Sequence, residues 1–431
     1  MITARFQTSF QRRQTLATAA IVLTAPGIIG GAAIATAADP PARPDPAPTL
    51  VGRAVLPVKT LAPGPQSGAL VLPGPGTRNG ITFPIPSQPV EGFSAIVAGR
   101  GAGEYLAMPD NGFGAKATST DFLIRAYYIR PHFKTAHGGS GAVDVGDFIS
   151  FGDPDHLIGF PIVNEGEPGR LLTGGDIDPE SLQRGRNGEL WVGDEFGPWV
   201  LHFDREGNLL EPPFAMPGGL MSPNNPFLNG RAATQPNSRG IEGMAMSTNR
   251  KYLYVSLEGA TVADTDKSRR HVFEFSTKDR SFTGREWQYR TEAEGNLVAD
   301  MWAVDNHRLV VIERDAGLGV TALFRNVYLV DVRAVDAAGF LDKTRLVDLT
   351  KIPDPDLVSL PAIHPGDLGL GDPFWVMCES VEAIHVTDDE QLLIGCDNNL
   401  PNTGRNPGLA DDNEFIVVDV PGLRSQAGHD D

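Results

Sequence analysis

Ten carboxylates recur at the borders of short β-type phrases in this chain: Asp110, Glu180, Asp194, Glu195, Glu242, Glu258, Glu313, Asp315, Glu382 and Asp397, with Asn111, Asn398 and Asn399 beside them. Gathered at one place, so many anions repel one another and lose hydration unless a cation neutralises them. Ca²⁺ suits this role, because it takes about six to eight oxygens from carboxylates, amides and backbone carbonyls. The expected ligand set is Asp110, Glu180, Asp194, Glu258, Glu313, Asp315, Glu382, Asp397 and Asn398. Glu195 and Glu242 are then left for acid–base work, while Arg239, Arg314 and Lys116 are placed to balance charge or hold an anionic group such as phosphate. A plainer reading stands beside this one. Asp and Asn at strand ends often bond their own turns, and each arginine can be a simple ion-pair partner. Glu inside a strand is harder to dismiss, since Glu180, Glu242 and Glu382 occupy positions that strand propensity disfavours.

Other catalytic templates are missing from the sequence: no HxH or HExxH, no GxSxG elbow, no GxGxxG after a strand and no Walker loop. The chemistry left is a metal that polarises an ester or phosphate oxygen and acidifies bound water, with a spare carboxylate as base.

The elements that must position these acids form a repeat. Five phrases each pair a short strand opened by a small or acidic residue with a β-rich strand closed by an acid: Ser94 to Asp110, Glu180 to Asp194, Glu242 to Glu258, Asp300 to Glu313 and Glu382 to Asp397, spaced by 13 to 16 positions. Further strands follow, including Asn208–Glu211 after the second phrase, His271–Ser276 and Arg285–Arg290 after the third, and Asn326–Val332 and Arg345–Leu349 after the fourth. Four antiparallel strands per unit around a ring is the β-propeller solution to exposed sheet edges. The spacing predicts an all-β propeller of five or six blades, with residues 50–58 supplying the strand that closes the ring. Two long steps, 94–180 and 300–382, leave room for a hidden blade. Residues 217–239 and 353–373 read as long loops over one face.

Composition agrees with this organisation. The 431 residues include 49 Gly and 35 Pro, too many turn formers for a helical bundle, and 41% hydrophobic residues, ample for a core. A net charge of −18 argues against binding nucleic acid or an anionic membrane surface by bulk charge. Residues 1–37 read as an export signal, by the general or twin-arginine route: Arg5, Arg12 and Arg13, then an uncharged run ending at Ala35-Thr36-Ala37. A retained anchor is the alternative, although no other stretch is suited to crossing a membrane. Residues 38–49 read as a stiff Pro-rich linker, 50–422 as the propeller and 423–431 as a polar tail. Cys378 and Cys396 lie on the two arms of a hairpin, where an exported chain can join them; they lack the spacing of a zinc pair.

Several phrases also resemble a known family. Leu172-Thr173-Gly174-Gly175-Asp176-Ile177-Asp178-Pro179-Glu180-Ser181, Leu190-Trp191-Val192-Gly193-Asp194-Glu195-Phe196-Gly197-Pro198 and Ser238-Arg239-Gly240-Ile241-Glu242-Gly243-Met244-Ala245 are similar to the bacterial phytase-like proteins with "esterase-like activity of phytase". Asp110-Asn111-Gly112-Phe113-Gly114, Leu257-Glu258-Gly259, Val311-Ile312-Glu313-Arg314-Asp315 and Asp397-Asn398-Asn399 extend the likeness over roughly residues 90–420. The resemblance implies an exported propeller hydrolase of phosphoric or carboxylic esters, periplasmic or extracellular. The expected partner is a small ester or phosphoester, with no nucleic acid and no stable membrane insertion after cleavage, and the expected state is a monomer. Two alternatives remain open at this point. One is a lactonase-like propeller whose calcium is held by Glu180, Glu242, Asp397 and Asn398; the other is a non-catalytic binding propeller with calcium as a plug.

Overall fold

The computed structural model describes residues 47–423, so the expected export signal and nearly all of the expected linker and polar tail lie outside the described residues. Within them, alternating β-rich phrases and Gly/Pro turns build five four-stranded antiparallel sheets. The first blade comprises Phe93–Ala98, Tyr105–Pro109, Arg125–Pro131 and Val143–Ser150. The second comprises Pro179–Arg184, Leu190–Asp194, Trp199–Phe203 and Phe214–Ala215, and the third Ile241–Met246, Tyr252–Leu257, Arg269–Ser276 and Ser281–Arg290. The fourth comprises Leu297–Ala303, Arg308–Arg314, Arg325–Val335 and Leu341–Asp348. The fifth takes Ser380–Val386, Leu392–Asp397 and Asn413–Asp419, and is completed by Thr49–Leu56 from the other end of the chain.

That last pairing closes the ring. Leu50 lies opposite Val418 and Leu56 opposite Asn413, and Arg53 Nε reaches Glu414 Oε1 at 2.6 Å in a buried ion pair. The first strand of each blade packs beside the first strand of the next, the fifth returning to the first. Apolar side chains fill the spaces between sheets; between the fourth and fifth, Val310, Ile312, Ile384 and Ile394 are all at most 1% exposed. Burying each such side chain is worth about 1.5–3 kcal/mol, which holds the blades radially.

The propeller therefore has five blades. The two long steps hold loops, residues 151–178 and 349–379, and no sixth sheet. Residues 217–239 and 353–373 contain no strands, as their composition predicts. The fourth strand of the second blade is Phe214–Ala215, in place of Asn208–Glu211. Asp204 Oδ1 accepts the amides of Glu206 and Asn208, which folds this segment back so that Leu209 bridges Phe203 of its own third strand. Pro212 and Pro213 then offer no amide to a ladder, which delays the strand. Cys378 and Cys396 form a disulfide with Cα atoms 6.1 Å apart, tying the entry of the fifth blade to its second strand. Among the described residues no helix is long and apolar enough to cross a membrane.

Candidate metal centre

Each inner strand carries a β-bulge near its start, one or two residues past its first residue. Register with the second strand slips between Phe93 and Ala95, Pro179 and Ser181, Ile241 and Met244, Val298 and Met301, and Val381 and Ala383. A bulge leaves one residue unpaired and re-aims its side chain. The first bulged residue is Ser94, Glu180, Glu242, Ala299 and Glu382 in blade order. On the second strand, the residue that follows the partner of the last pair before the slip is Asp110, Glu195, Glu258, Arg314 and Asp397. Counted this way the two positions are 15 or 16 residues apart in every blade. Two of the sequence phrases are corrected by it: the second closes on Glu195, and the fourth runs from Ala299 to Arg314 instead of from Asp300 to Glu313. Asp300 is turned between blades, where its Oδ2 accepts the Ile384 amide at 3.0 Å.

All of these positions except Ser94 and Ala299 line a cavity of about 230 Å³ at one end of the ring. Nine carboxylates line it: Asp110, Asp178, Glu180, Glu195, Glu242, Glu258, Glu379, Glu382 and Asp397. Two cations join them, and both stand on the same side. Arg314, only 6% exposed, reaches Glu382 Oε1 at 2.6 Å, Glu258 Oε1 at 3.1 Å and Glu242 Oε1 at 3.8 Å. Burial disfavours its charge, yet the attraction of Glu382, Glu258 and Glu242 wins and holds its pKa above the ordinary value. Arg239, one-third exposed at the rim, reaches Glu258 Oε2 at 2.7 Å.

The opposite side has no such partner. Among the described residues no Lys or Arg forms an ion pair with Asp110, Asp178, Glu180 or Asp397. Asp110, Asp178 and Glu180 each offer an oxygen within 4.8 Å of the others; Glu180, Glu242 and Glu382 do the same, as do Glu195, Glu242 and Glu258. Glu180 Oε2 is buried without a hydrogen-bond partner. Gly92, at φ +72°, leaves a gap that a Cβ would fill 3.2 Å from both Asp110 Oδ1 and Asp397 Oδ1. Closely spaced buried carboxylates, one of whose oxygens has no donor, suit a hard oxygen-seeking cation.

Electrostatics carry the same signature. Burial, followed by the charges of Glu242 and Asp178, pushes the Glu180 carboxyl well above the usual range. Burial, with Glu258 and Glu382, does so for Glu242, and burial with Asp178 does so for Glu195 and Asp110. Burial with Asp110 and Glu382 raises Asp397. Asp178 is pushed up to about 6 by burial, restrained by its bond from Asn111. Burial and mutual repulsion thus disfavour the ionised form of each of these carboxyls, which a bound cation would favour.

The structure thus brings together five of the nine expected ligands, Asp110, Glu180, Glu258, Glu382 and Asp397, with Glu195, Glu242, Arg239 and Arg314 around the same cavity. It does not bring Asp194, Glu313, Asp315 or Asn398 there. Strand alternation points Asp194 and Glu313 the other way. Asp194 accepts the amides of Asp178 and Gly197, and Glu313 takes Tyr289 Oη, the Glu292 amide, Asn296 and Lys343. Asp315 caps a loop by accepting the amides of Gly317, Leu323 and Phe324. Asn398 Oδ1 accepts the Gly92 amide while its Nδ2 donates to Asp411 O, so the Asn proposed for a lactonase-like shell is occupied. Lys116 lies over the Phe196 ring and near Asn224 O, away from the acids.

Sequence reading missed Asp178, Glu379 and Glu91. Asp178 immediately precedes the inner strand, where the first and third blades carry Gly92 and Gly240, so a comparison of aligned blades marks it as the odd residue. Glu91 is fully buried beside this site with neither carboxylate oxygen partnered, and no repeat signals it.

The family described as "Phytase-like: Esterase-like activity of phytase" matches residues 88–400, well over half of the chain. The chain belongs to the phytase-like family. Its match spans four of the blades in full and two of the four strands of the fifth, including every carboxylate of the cavity. A protein of Arthroderma benhamiae, described as an uncharacterized secreted protein, is 29% identical over 124 residues, covering 25% of this chain and 23% of that relative. The match therefore spans about a quarter of the relative's length. Among solved structures, a luciferin-regenerating enzyme aligns over 86% of this chain and 96% of its own at 10% identity and TM-score 0.35. A GH43 β-1,3-galactosidase aligns over 80% of this chain and 59% of its own at 9% identity and TM-score 0.42. At these scores neither bears on the chemistry of the phytase-like site.

Proposed function

We propose that this phytase-like protein is an exported, cation-dependent hydrolase of phosphoric or carboxylic esters, working at the acidic mouth of its propeller. The carrying observation is the asymmetry of the cavity: Arg314 and Arg239 neutralise one side, while Asp110, Asp178, Glu180 and Asp397 face a gap with no cation of the protein's own. Those four residues would hold the metal, calcium being the natural choice for an all-oxygen set. Once bound, the metal supplies Lewis acidity toward an ester or phosphoryl oxygen and lowers the pKa of a water.

The chain's own residues supply the rest. Arg239, partly exposed at the rim, is the group able to meet an anionic substrate. Arg314 is engaged by three carboxylates, so its part is to keep Glu242 and Glu258 in place and partly ionised. Glu195 borders the unpaired side, its Oε1 held by the Gly240 amide at 3.2 Å. With positive charge close by, its raised pKa falls and it takes a proton as general base. The secreted relative and the disulfide support export.

The test is hydrolysis of p-nitrophenyl phosphate, p-nitrophenyl acetate, phytate and a simple lactone, with calcium or with chelator. Turnover of at least one ester should require calcium and fall at least a hundredfold in Asp178→Asn and Glu195→Gln. Full activity in chelator overturns the metal, activity unchanged in both variants overturns the site, and turnover of none of the four overturns the hydrolase reading.

A further inference from the structure

At the end of the ring opposite the mouth, one cavity carries the reverse charge. Inner strands run from the mouth toward this face, so the turns that follow them, Gly185–Glu189 and Ser247–Lys251, lie there together with the outer turn Thr277–Arg280. Between the second and third blades these turns enclose a cavity of about 600 Å³. Five cationic side chains line it, Arg186, Arg250, Lys251, Lys278 and Arg280, against two carboxylates, Glu189 and Asp279. In a chain of net charge −18 such a local excess is unexpected. Among the described residues only Arg280 has a carboxylate partner, Glu211.

The two arginines at the centre are held in place from across the blade boundary. Arg186 Nη2 donates to Asn249 O at 2.6 Å, and Arg250 Nη1 donates to Gly185 O at 2.7 Å. Carbonyls orient the guanidinium groups without cancelling their charge, and each retains further N–H donors. An aromatic pair underlies the basin. Trp191 and His202, stacked with ring centroids 3.8 Å apart, line the same cavity at 1% and 4% exposure. Trp191 Nε1 and His202 Nε2 both lack hydrogen-bond partners. An indole N–H can only donate, so its missing partner is an acceptor.

We infer that this basin is a binding site for a small multivalent oxyanion, of the oligophosphate class, distinct from the acidic mouth and about one molecule in capacity. Fixed guanidinium groups suit tetrahedral oxyanions, and the two lysines add unpaired positive charge. The acidity of the whole chain excludes binding by bulk charge but leaves this local concentration of cations intact.

Inorganic tripolyphosphate is the probe, titrated calorimetrically in low salt with chelator present, so that no metal at the mouth can hold the anion. One molecule should bind per chain, more weakly as salt is added. Lys251→Ala/Lys278→Ala changes exposed side chains with no ion-pair partner, and should weaken binding at least tenfold with an unchanged melting temperature. Arg239→Ala, at the opposite end, should leave binding unaltered. No binding by the wild type, equal affinity in the lysine double variant, or loss caused by Arg239→Ala overturns the site. Co-sedimentation with phosphatidylglycerol vesicles alongside failure to bind tripolyphosphate also overturns it, in favour of a lipid surface.

Discussion

Arg314 stands where the other four blades place a carboxylate, and that one substitution of sign organises half of the cavity. Its guanidinium pairs with Glu382 and Glu258 and lies 3.8 Å from Glu242, all of them buried. Removing a buried partner leaves uncompensated charge, a loss of about 3–5 kcal/mol. Arg314→Met should therefore lose that much stability in urea unfolding at pH 8 with chelator present. A loss under about 1 kcal/mol would mean that the acids are neutral there already. Gly92 makes a separate point on the unpaired side. Its φ of +72° disfavours any Cβ, and the new methyl would sit 3.2 Å from Asp110 and Asp397. Gly92→Ala should weaken calcium binding at least tenfold by calorimetry while costing only about 1–3 kcal/mol of stability. Unchanged affinity would place the cation elsewhere in the cavity.

At the scale of elements, the recurring device is the bulge. Five inner strands slip register at the same point, so Glu180, Glu242 and Glu382 leave the regular alternation and reach the mouth. The strands were legible in the sequence because alternation and turn residues mark them. The bulge was not, since nothing in a single strand's composition distinguishes an unpaired residue from a paired one. This is why Asp300 and Glu313 stood in the fourth phrase where Ala299 and Arg314 belong, and why Asp194 was placed among the ligands: a one-residue slip reverses the face. The disulfide acts at this scale too, closing an 18-residue separation between the fifth blade's entry and its second strand. Constraining a loop of that size stabilises by about 3 kcal/mol in the chain-entropy account. Cys378→Ser/Cys396→Ser should lose roughly that amount in denaturant titration, and dithiothreitol should reproduce the loss in the parent. Equal midpoints for parent and variant would show that the strand pairing alone holds this corner.

For the whole molecule, the repeat made the all-β ring and its closing strand readable, because a propeller blade cannot cover its own edges and must recur. Blade number was not readable: residues 151–178 and 349–379 are long enough for further strands, and only the limitation of their pairing to isolated bridges excludes another sheet. The ring also concentrates charge from five distant stretches of chain, and this governs how stability responds to pH. Asp178 is raised to about 6, and Glu180, Glu195, Glu242, Asp110 and Asp397 are raised well above the usual carboxylate range, all by burial first. In the unfolded chain the same groups titrate near pH 4. Between pH 4 and the raised values the native state therefore holds more protons than the unfolded state, so metal-free stability falls as pH rises through this window. Asp178 alone accounts for at most about 3 kcal/mol of that fall. A divalent cation favours the ionised carboxylates, and its benefit must grow as pH rises. Thermal melts at pH 5 and pH 8 check this directly. With chelator the protein should melt at lower temperature at pH 8 than at pH 5; millimolar calcium should raise the pH 8 midpoint by several degrees and the pH 5 midpoint by much less. Equal increments at the two pH values, or none at pH 8, would show that the carboxylates of the mouth do not hold the cation.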